Sequence, residues 1–427
     1  MIIVDKALEK LEAKNKPIRV GLVGSGFAAR GFMLQMLTCI KGMRLVAVSN
    51  RTRNYAIQGF EQAGFDNYRD ISNLKDLEEV IRDGKCALTN DPFLLTDSEQ
   101  IDVIVEATGE VEFGAQVVLR AIENKKHVVL INAELDSTLG PILKVKADEK
   151  GVLYTQADGD QPAVLMNLYR QVQSWGFKPV MVGNIKSLID VRRTPKTQAN
   201  WAKEHSQRPK MVTSFADGTK IGAEMATIAN ATGFPVAKRG MIGPKTDRVE
   251  NAHKLFDYKK LITTGLTDYI LGAEPSFGVF VLATTDNPTR KMYMNVYKMG
   301  EGPLYTFYVP YHLSPIEAPM SVARAIIFKD AALAPLDKPV CDVVTLAKRD
   351  IKKGEKLDGI GGFLTYGTID NADVCLRDNL LPIGLADGCI AKQDIPMDTA
   401  IAYDMVKLPK GRISDKLRKE QNEYFFK

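Results

Sequence analysis

Cysteine, histidine and tryptophan are scarce in this chain of 427 residues, which holds five, four and two of them respectively. The cysteines are odd in number, widely spaced and without a Cys-x-x-Cys pair, which argues against a disulfide framework or a thiolate metal site. No His-x-His or His-Glu-x-x-His pattern occurs, so we expect no tightly held transition metal. Reduced thiols fit a cytoplasmic protein.

Long apolar runs and a strong charge of one sign are also missing. No run approaches the roughly 18 apolar residues of a membrane span, and the N-terminal MIIVDKALEKLEAKNKP lacks a signal-peptide core, so neither a membrane partner nor export is expected. The net charge is only +5 with scattered basic residues, which gives no indication of nucleic acid binding. A small acidic molecule remains a possible partner. The length indicates two or three domains.

The segment IRVGLVGSGFAARGFMLQML predicts a strand, a glycine turn and a helix, and RLVAVSN after it predicts a second strand. In such a βαβ unit Gly24 permits the tight turn, Gly26 lets the backbone approach a pyrophosphate, and Ala29 takes the third small position. We therefore predict a doubly wound parallel sheet of the Rossmann type. Phe27 and Ala28, in the first helical turn, join the two glycines as predicted cofactor-binding residues.

The predicted second strand ends in Ser49-Asn50-Arg51-Thr52-Arg53, where NAD-binding sheets usually carry an acid for the ribose. Without that carboxylate, Arg51 or Arg53 can pair with a 2′-phosphate, so NADP is favoured over NAD. Asn50, Arg51 and Thr52 are the predicted contacts. Solvated loop arginines are the alternative.

Three more predicted strands end in polar residues. The carboxyl ends of parallel strands bind ligands, so these residues are expected to line the nicotinamide half of the cleft. The predicted cofactor contacts are Thr108, Gly109, Asn132 and Glu134, and the predicted substrate contacts are Asp158 and Asp160. A loosely held divalent cation among Glu134, Asp158 and Asp160 stays open.

The pattern changes from about residue 178. The runs PVMVGNIK, FGVFVLAT, KMYMNVYKM and LYTFYVP predict strands, the last three paired as an antiparallel meander, with helices over 219–231 and 251–262. This predicts an α+β catalytic domain with an antiparallel sheet.

Within that region, TSFADGTKIGAEMA gathers charged residues at the start of one predicted helix. Asp217 can cap the helix, and Ile221, Met225 and Ile228 form its apolar stripe. Lys220 lies between Asp217 and Glu224, so we interpret it as a catalytic proton donor oriented by the two acids. A surface ion pair and a structural ion-pair network are the alternative interpretations.

Lys186 is the rival catalytic residue, at the end of the first strand of this region. Arg192, shortly after the same strand, and Tyr308 and His312, at the end of a later strand, are predicted to bind substrate. A solvated arginine loop and a structural histidine are the alternatives.

The C-terminal part repeats itself, with AKRDI at 347 and AKQDI at 391. Two copies fit a small β-rich domain with two related lobes, followed by a charged helical or frayed tail. The predicted boundaries are 1–165 for the cofactor domain, 166–335 for the substrate and dimerisation domain, and 336–427 for the last domain and tail.

VGLVGSGFAARG and DVIVEATGE resemble the NAD-binding domain of homoserine dehydrogenases, and the repeat resembles a SAF domain. With VTSFADGTK and YVPYHLSPIEAP between them, the chain is similar to the 1-deoxy-D-xylulose-5-phosphate reductoisomerase-like oxidoreductases. The resemblance implies a homodimeric NAD(P)-dependent oxidoreductase that acts on a sugar phosphate or branched sugar acid, with hydride transfer coupled to rearrangement. Reduction of a small aldehyde, as in homoserine dehydrogenases, and a non-catalytic cofactor or sugar sensor remain alternatives.

Overall fold

The computed structural model describes residues 3–427, which group into two compact units. The first comprises Met1–Asp160, Leu313–Ala334 and Arg412–Lys427, and the second Gln161–His312 and Pro335–Gly411. The division into three domains stays a prediction. Among the described residues, no helix is both long enough and apolar enough to cross a bilayer.

Helices and strands alternate through the first 160 residues. In chain order they are α1 (Val4–Ala13), β1 (Ile18–Val23), α2 (Phe27–Thr38), β2 (Met43–Ser49), α3 (Arg53–Gln62), β3 (Tyr68–Asp70), α4 (Leu74–Arg82), β4 (Cys86–Thr89), α5 (Pro92–Asp97), β5 (Val103–Glu106), α6 (Val111–Glu123), β6 (His127–Leu130), α7 (Ala133–Lys150) and β7 (Tyr154–Gln156).

The next elements are α8 (Gln161–Ser174), β8 (Lys178–Lys186), α9 (Ala199–Glu204), α10 (Pro209–Ala216), α11 (Thr219–Thr232), α12 (Tyr258–Thr264), β9 (Leu266–Leu271), β10 (Val279–Thr284), α13 (Pro288–Val296) and β11 (Tyr305–Val309). After them come α14 (Ser314–Glu317), α15 (Pro319–Ala323), β12 (Cys341–Ala347), β13 (Thr365–Asn371), α16 (Ala372–Arg377), β14 (Ile390–Ala391), β15 (Val406–Lys407) and α17 (Ile413–Phe425).

The first unit is built on a seven-stranded parallel sheet in the order β3-β4-β2-β1-β5-β6-β7. The chain winds outward from β1 in one direction and from β5 in the other, so the strand order reverses between them. That reversal opens a crevice at the carboxyl ends of β1 and β5, the usual ligand position in open α/β sheets. The Rossmann prediction is confirmed.

The C-terminal helix α17 supplies hydrogen bonds at the point where the backbone ladder of α7 is interrupted. Pro141 interrupts the hydrogen-bond ladder of α7, because proline has no N–H to donate. The side-chain oxygen of Gln421 accepts a hydrogen bond from Ile142 N at 3.2 Å, and Arg418 donates to Thr138 O at 3.1 Å. The predicted tail is therefore a docked helix and not a frayed end.

The second unit contains a four-stranded sheet in the order β11-β10-β8-β9. β10 is antiparallel to β8 and β11, but β9 is parallel to β8, so the sheet is mixed. The strand predicted at KMYMNVYKM is wrong, because most of that run lies in α13. Asn287 caps α13 by accepting from Arg290 N, and Pro288 occupies its first turn. β11 instead pairs directly with β10.

The repeat lobe, residues 335–411, has an approximate internal twofold relation. Ile351 and Ile395 exchange two backbone hydrogen bonds on the axis. The bridges Leu346 to Ala400 and Lys356 to Ile390 correspond when residue numbers are shifted by the repeat spacing, 391 less 347 or 44 residues. These bridges agree with an internal repeat, whereas a domain of two related lobes stays a prediction.

Candidate functional site

The glycine turn after β1 has the geometry of a phosphate cradle. Gly24 has a φ of +103°, and a Cβ there would lie 2.6 Å from Ala107 O, so only glycine fits. A Cβ on Gly26 would meet nothing within 4 Å, so packing does not demand this glycine. The open space adjoins the first-turn amides of α2, which have no partner within the helix. This arrangement fits a pyrophosphate.

Phe27 is exposed and Ala28 half-buried in that first turn, where the sequence predicted cofactor contacts. Asn50 ties the end of β2 to the turn, since its Oδ1 accepts from Ser25 N at 3.1 Å and its Nδ2 donates to Thr52 O at 2.7 Å. Arg53 forms an ion pair with Asp70 at 3.3 Å, whereas Arg51 is exposed. Of the two arginines predicted to pair with a 2′-phosphate, Arg53 therefore already has an acid partner.

A buried carboxylate organises the end of β5. Glu106 is fully buried, accepts hydrogen bonds from Thr108 N at 2.9 Å and from the Thr108 hydroxyl, and accepts from Asn132 Nδ2 at 2.8 Å. The pKa of Glu106 is raised to about 7, mainly by burial and to a smaller extent by the charge of Glu134, against the opposing effect of these donors. Glu106 therefore holds together two of the predicted cofactor-binding segments.

Asn132 is fully buried and also caps α7, since its Oδ1 accepts from Leu135 N at 3.0 Å. Both the oxygen and the nitrogen of the Asn132 side-chain amide thus have hydrogen-bond partners within the protein. Glu134 is buried in the first turn of α7, and Gly109 has a φ of +70° in the loop after β5. A role for these residues in cofactor binding stays a prediction.

Asp158 and Asp160 follow β7 and are both buried. The Asp158 carboxylate accepts from Ser321 Oγ at 2.9 Å and from Arg324 Nη1 at 2.8 Å. Arg324 also pairs with Asp330 at 2.6 Å and begins a short π-helix, a feature common at functional sites. The predicted substrate residue Asp158 is thus built into an ion-pair network.

Ser321 and Arg324 belong to the segment that begins at residue 313 and packs beside the carboxyl ends of the parallel strands. A Cβ on Gly31 of α2 would overlap the Pro315 side chain, and one on Gly159 would lie 2.7 Å from Leu313 O. The two glycines therefore let α14 approach both α2 and the loop after β7.

Within residues 3–427, no group of three or more His, Cys, Asp or Glu side chains is arranged to hold a metal ion. Of the three acids proposed for a loose cation, Asp158 already has Arg324 as its positive partner.

In the second unit, α11 is a core helix. It packs against β12, β13, α8 and α10, and Thr219–Ala231 are all buried. Lys220 is 9% exposed and Glu224 2% exposed, so the alternative of a surface ion pair is wrong. Ile221, Met225 and Ile228 are buried as predicted. A lysine in the first helical turn opposes the helix dipole, so this position does not serve helix stability.

Asp217 has partners other than Lys220. The N-cap position of α11 is Gly218, so Asp217 lies one residue before the cap predicted for it; its Oδ1 accepts from Thr219 N at 2.9 Å, and its Oδ2 pairs with Lys348 Nζ at 2.7 Å. Burial raises the pKa of Asp217, and Lys348 opposes that shift. The interpretation of Asp217 as the orienting acid of Lys220 is therefore corrected: it compensates a lysine from the repeat lobe.

The remaining predicted residues are spread over the second unit. Lys186 is half-buried at the end of β8. Arg192 donates to Lys348 O at 2.8 Å and pairs with Asp398, so its side chain attaches the loop after β8 to the repeat lobe. Tyr308 donates to Glu250 at 3.1 Å, and the His312 ring stacks on Phe277 at 4.1 Å. Arg192, Tyr308 and His312 thus each contact a different neighbour.

Sequence reasoning missed Glu106, Arg324 and Lys348. The sequence did contain an indication of Glu106, because it is an acid at the end of an otherwise apolar run, VIVE. The neighbouring sequence gave no indication of the roles of Arg324 and Lys348, since Asp158 and Asp217, with which they pair, lie 166 and 131 residues away.

Two family models match the chain. The homoserine dehydrogenase NAD-binding domain matches residues 20–155, and the catalytic domain of oxidoreductase DRL matches residues 159–318. The first confirms the predicted resemblance of the cofactor domain. A nicotinamide-binding domain followed by an oxidoreductase catalytic domain makes the protein an NAD(P)-dependent oxidoreductase.

Curated relatives match over short segments. The homoserine dehydrogenase of Pseudomonas aeruginosa is 41% identical over 70 residues, 16% of either chain, and that of Methylobacillus glycogenes 30% identical over 28% of this chain and 26% of its own. This chain thus spans about a quarter or less of the length of these relatives. The solved scyllo-inositol dehydrogenase of Lactobacillus casei, with bound NAD(H) and scyllo-inositol, has a TM-score of 0.42 and 11% identity over 74% of this chain and 91% of its own. At that score the likeness carries no argument about substrate.

Proposed function

We propose that this NAD(P)-dependent oxidoreductase transfers hydride between the cofactor and a small polyhydroxylated compound, a sugar phosphate or a branched sugar acid, with Lys220 as the proton donor. The observation that carries the proposal is the burial of Lys220 and Glu224 one turn apart on the core helix α11, inside the matched catalytic domain. Burying charged groups costs several kcal/mol each, so a buried lysine and acid in such a domain are candidates for chemistry.

The chemistry needs a group that gives or takes the proton of the reacting oxygen as hydride moves to or from its carbon. Bound NAD(P)H supplies that hydride. A protonated lysine out of water stabilises charge on the oxygen more strongly than it does in solution, because the surrounding dielectric is low. In this proposal Glu224 keeps Lys220 oriented, and Lys186 or Arg192 binds the substrate.

The cofactor is proposed to be NADP(H), with its pyrophosphate at Gly24, Gly26 and the first turn of α2. The exposed Arg51 supports this choice, because a guanidinium matches a 2′-phosphate in charge and shape. We also propose a homodimer and a coupled reductoisomerase step, both on the resemblance alone.

The test is a screen of sugar acids, sugar phosphates and small aldehydes with NADPH and NADH, in which turnover is measured as a change in absorbance at the nicotinamide band. On any substrate found, Lys220→Met is expected to lower kcat by about a hundredfold or more and to leave the cofactor Kd nearly unchanged. Lys203→Met, which changes an exposed lysine of the same unit, is the matched control.

The other outcomes separate the alternatives. Near-normal turnover by Lys220→Met together with loss of turnover by Lys186→Met transfers the catalytic role to Lys186. Turnover confined to small aldehydes favours a homoserine-dehydrogenase-like reduction. Tight NADPH binding without turnover on any compound favours a sensor.

A further inference from the structure

The ammonium group of Lys348 lies buried where the repeat lobe meets the start of α11. Its Nζ donates to Asp217 Oδ2 at 2.7 Å, to Arg193 O at 2.8 Å and to Gly362 O at 2.8 Å. The side chains of Lys348 and Asp217 are 2% and 0% exposed. Three acceptors use all three N–H groups of an ammonium, so Lys348 has no proton left to offer a substrate.

Two further contacts attach the same helix start to the lobe. Gly367 N of β13 donates to Thr219 Oγ1 at 2.8 Å, and a Cβ on Gly367 would lie 2.9 Å from Thr219 Cγ2. Gly361 has a φ of +64° and lies against Lys210 O of α10, so a side chain there would collide with that backbone. The lobe therefore holds both α10 and the start of α11.

The second copy of the repeat places its lysine differently. Lys392 is the counterpart of Lys348, but it is exposed, and its Nζ donates to Asp404 O at 3.1 Å within the lobe. Two lysines at equivalent positions of the repeat thus have different environments. The repeat motif alone does not require a buried lysine, so the burial of Lys348 belongs to its contact with α11.

We infer that Lys348 is a positioning residue, which fixes the first turn of α11 through Asp217 and so holds Lys220 in place. One oxygen of Asp217 accepts from Lys348 and the other from Thr219 N, the first amide of α11. Lys220 is the next residue. The inference rests on the proposed function insofar as Lys220 is the catalytic group, and it gives the repeat lobe a part in building the catalytic helix.

Lys348→Met alone leaves a buried Asp217 without its cation, and the variant can unfold for that reason. The informative variant is the double change Lys348→Met with Asp217→Asn. The side-chain oxygen that remains after Asp217→Asn can still accept from Thr219 N, and the change removes the buried negative charge that Lys348 compensates. Lys392→Met is the matched control, because it removes the equivalent lysine of the second copy.

Hydrogen exchange measured by mass spectrometry reports on the helix without any substrate. We expect amides in peptides covering 217–226 to exchange about tenfold faster or more in the double variant and at the wild-type rate in Lys392→Met, with peptides of β1 and α2 unchanged. Unchanged exchange in 217–226 of a folded double variant overturns the inference.

Turnover distinguishes positioning from plain stability. On a substrate found by the screen, the double variant is expected to lower kcat about tenfold per folded enzyme and to raise the isotope effect of deuterated NADPH, with the NADPH Kd unchanged. A kcat and an isotope effect at wild-type values overturn the positioning role. If Lys220→Met turns over normally, the catalytic assignment fails, whereas the exchange result still decides whether Lys348 fixes α11.

Discussion

Ionisation of the buried Glu106 carboxyl is expected to weaken the first unit as pH rises toward neutrality. Its pKa is about 7 in the folded protein and near the ordinary 4.5 when the chain is unfolded. Between these values the folded state holds a proton that the unfolded state has released. The stabilisation from this group is therefore complete below pH 4.5 and is lost as pH rises through 7.

The size of the effect follows from the two pKa values. A difference of one between the folded and unfolded pKa corresponds to about 1.36 kcal/mol of stability. For Glu106 the loss is therefore about 3 kcal/mol, an order-of-magnitude figure for a fully buried group. The groups that face Glu106 include the donors Thr108 and Asn132 and the acid Glu134. A Cβ on Gly114 of α6 would lie only 3.2 Å from the Glu106 carboxyl carbon, so little room is left for water.

The assay compares the wild type with Glu106→Gln at each pH from about 5 to 8. The glutamine can still accept from Thr108, but its amide nitrogen faces the Asn132 amide, which costs stability independently of pH. Both tryptophans, Trp175 and Trp201, belong to the second unit and so cannot report on the first. Hydrogen exchange of peptides from β5 and β6 reports on the first unit directly.

The stability advantage of the wild type over Glu106→Gln is expected to shrink by about 2.5 kcal/mol across that pH range, since part of the total is already lost at pH 5. For amides that exchange only when the whole unit unfolds, the ratio of exchange rates should change by about 70-fold. Comparison at equal pH removes the intrinsic pH dependence of exchange. A ratio that stays constant over the whole pH range refutes the raised pKa of Glu106 and the reasoning built on it.

Three other predictions concern the same unit. Gly24→Ala should lower the thermal midpoint through strain of about 1–3 kcal/mol, whereas Gly26→Ala should fold normally and weaken NADPH binding in a fluorescence titration. Arg51→Ala should lower the preference for NADPH over NADH about tenfold, measured as a ratio of Kd values, and leave NADH affinity unchanged. Gln421→Leu should cost about 1–3 kcal/mol in chemical unfolding, because Ile142 N loses its acceptor; a variant as stable as the wild type contradicts the role of α17 in repairing α7.

The cofactor domain was predictable because its signals are local. Strand β1, the turn at Gly24 and helix α2 follow one another within 21 residues, from 18 to 38, and each glycine or apolar position acts on its neighbours. The internal repeat was detectable for a different reason: one motif occurs twice, and its two copies form corresponding backbone bridges although their lysines lie in different environments. The alternation of strands and helices predicts a parallel sheet, but it does not determine the order of the strands in that sheet.

Helix α13 shows where periodicity fails. The alternating apolar residues of MYMNVY suggested a strand, but none of the residues in α13 is buried, and Met292, Tyr293 and Val296 are exposed. Alternation indicates a strand only when one face is buried, because burial is what selects the pattern. At an exposed position the local signals of Asn287 and Pro288 decide, and they favour a helix start.

The predicted pairing of Asp217 with Lys220 was wrong for a related reason, which bears on the catalytic assignment. Sequence proximity suggested that Asp217 and Glu224 hold Lys220, yet Asp217 compensates a lysine 131 residues away. Electrostatic interactions between buried groups depend on distance in space and on desolvation, neither of which is read from spacing along a helix. With the Asp217 charge paired to Lys348, Glu224 is the acid of the cluster that the Lys220 hypothesis still needs. Glu224→Gln should therefore impair turnover almost as much as Lys220→Met if the two act as one unit.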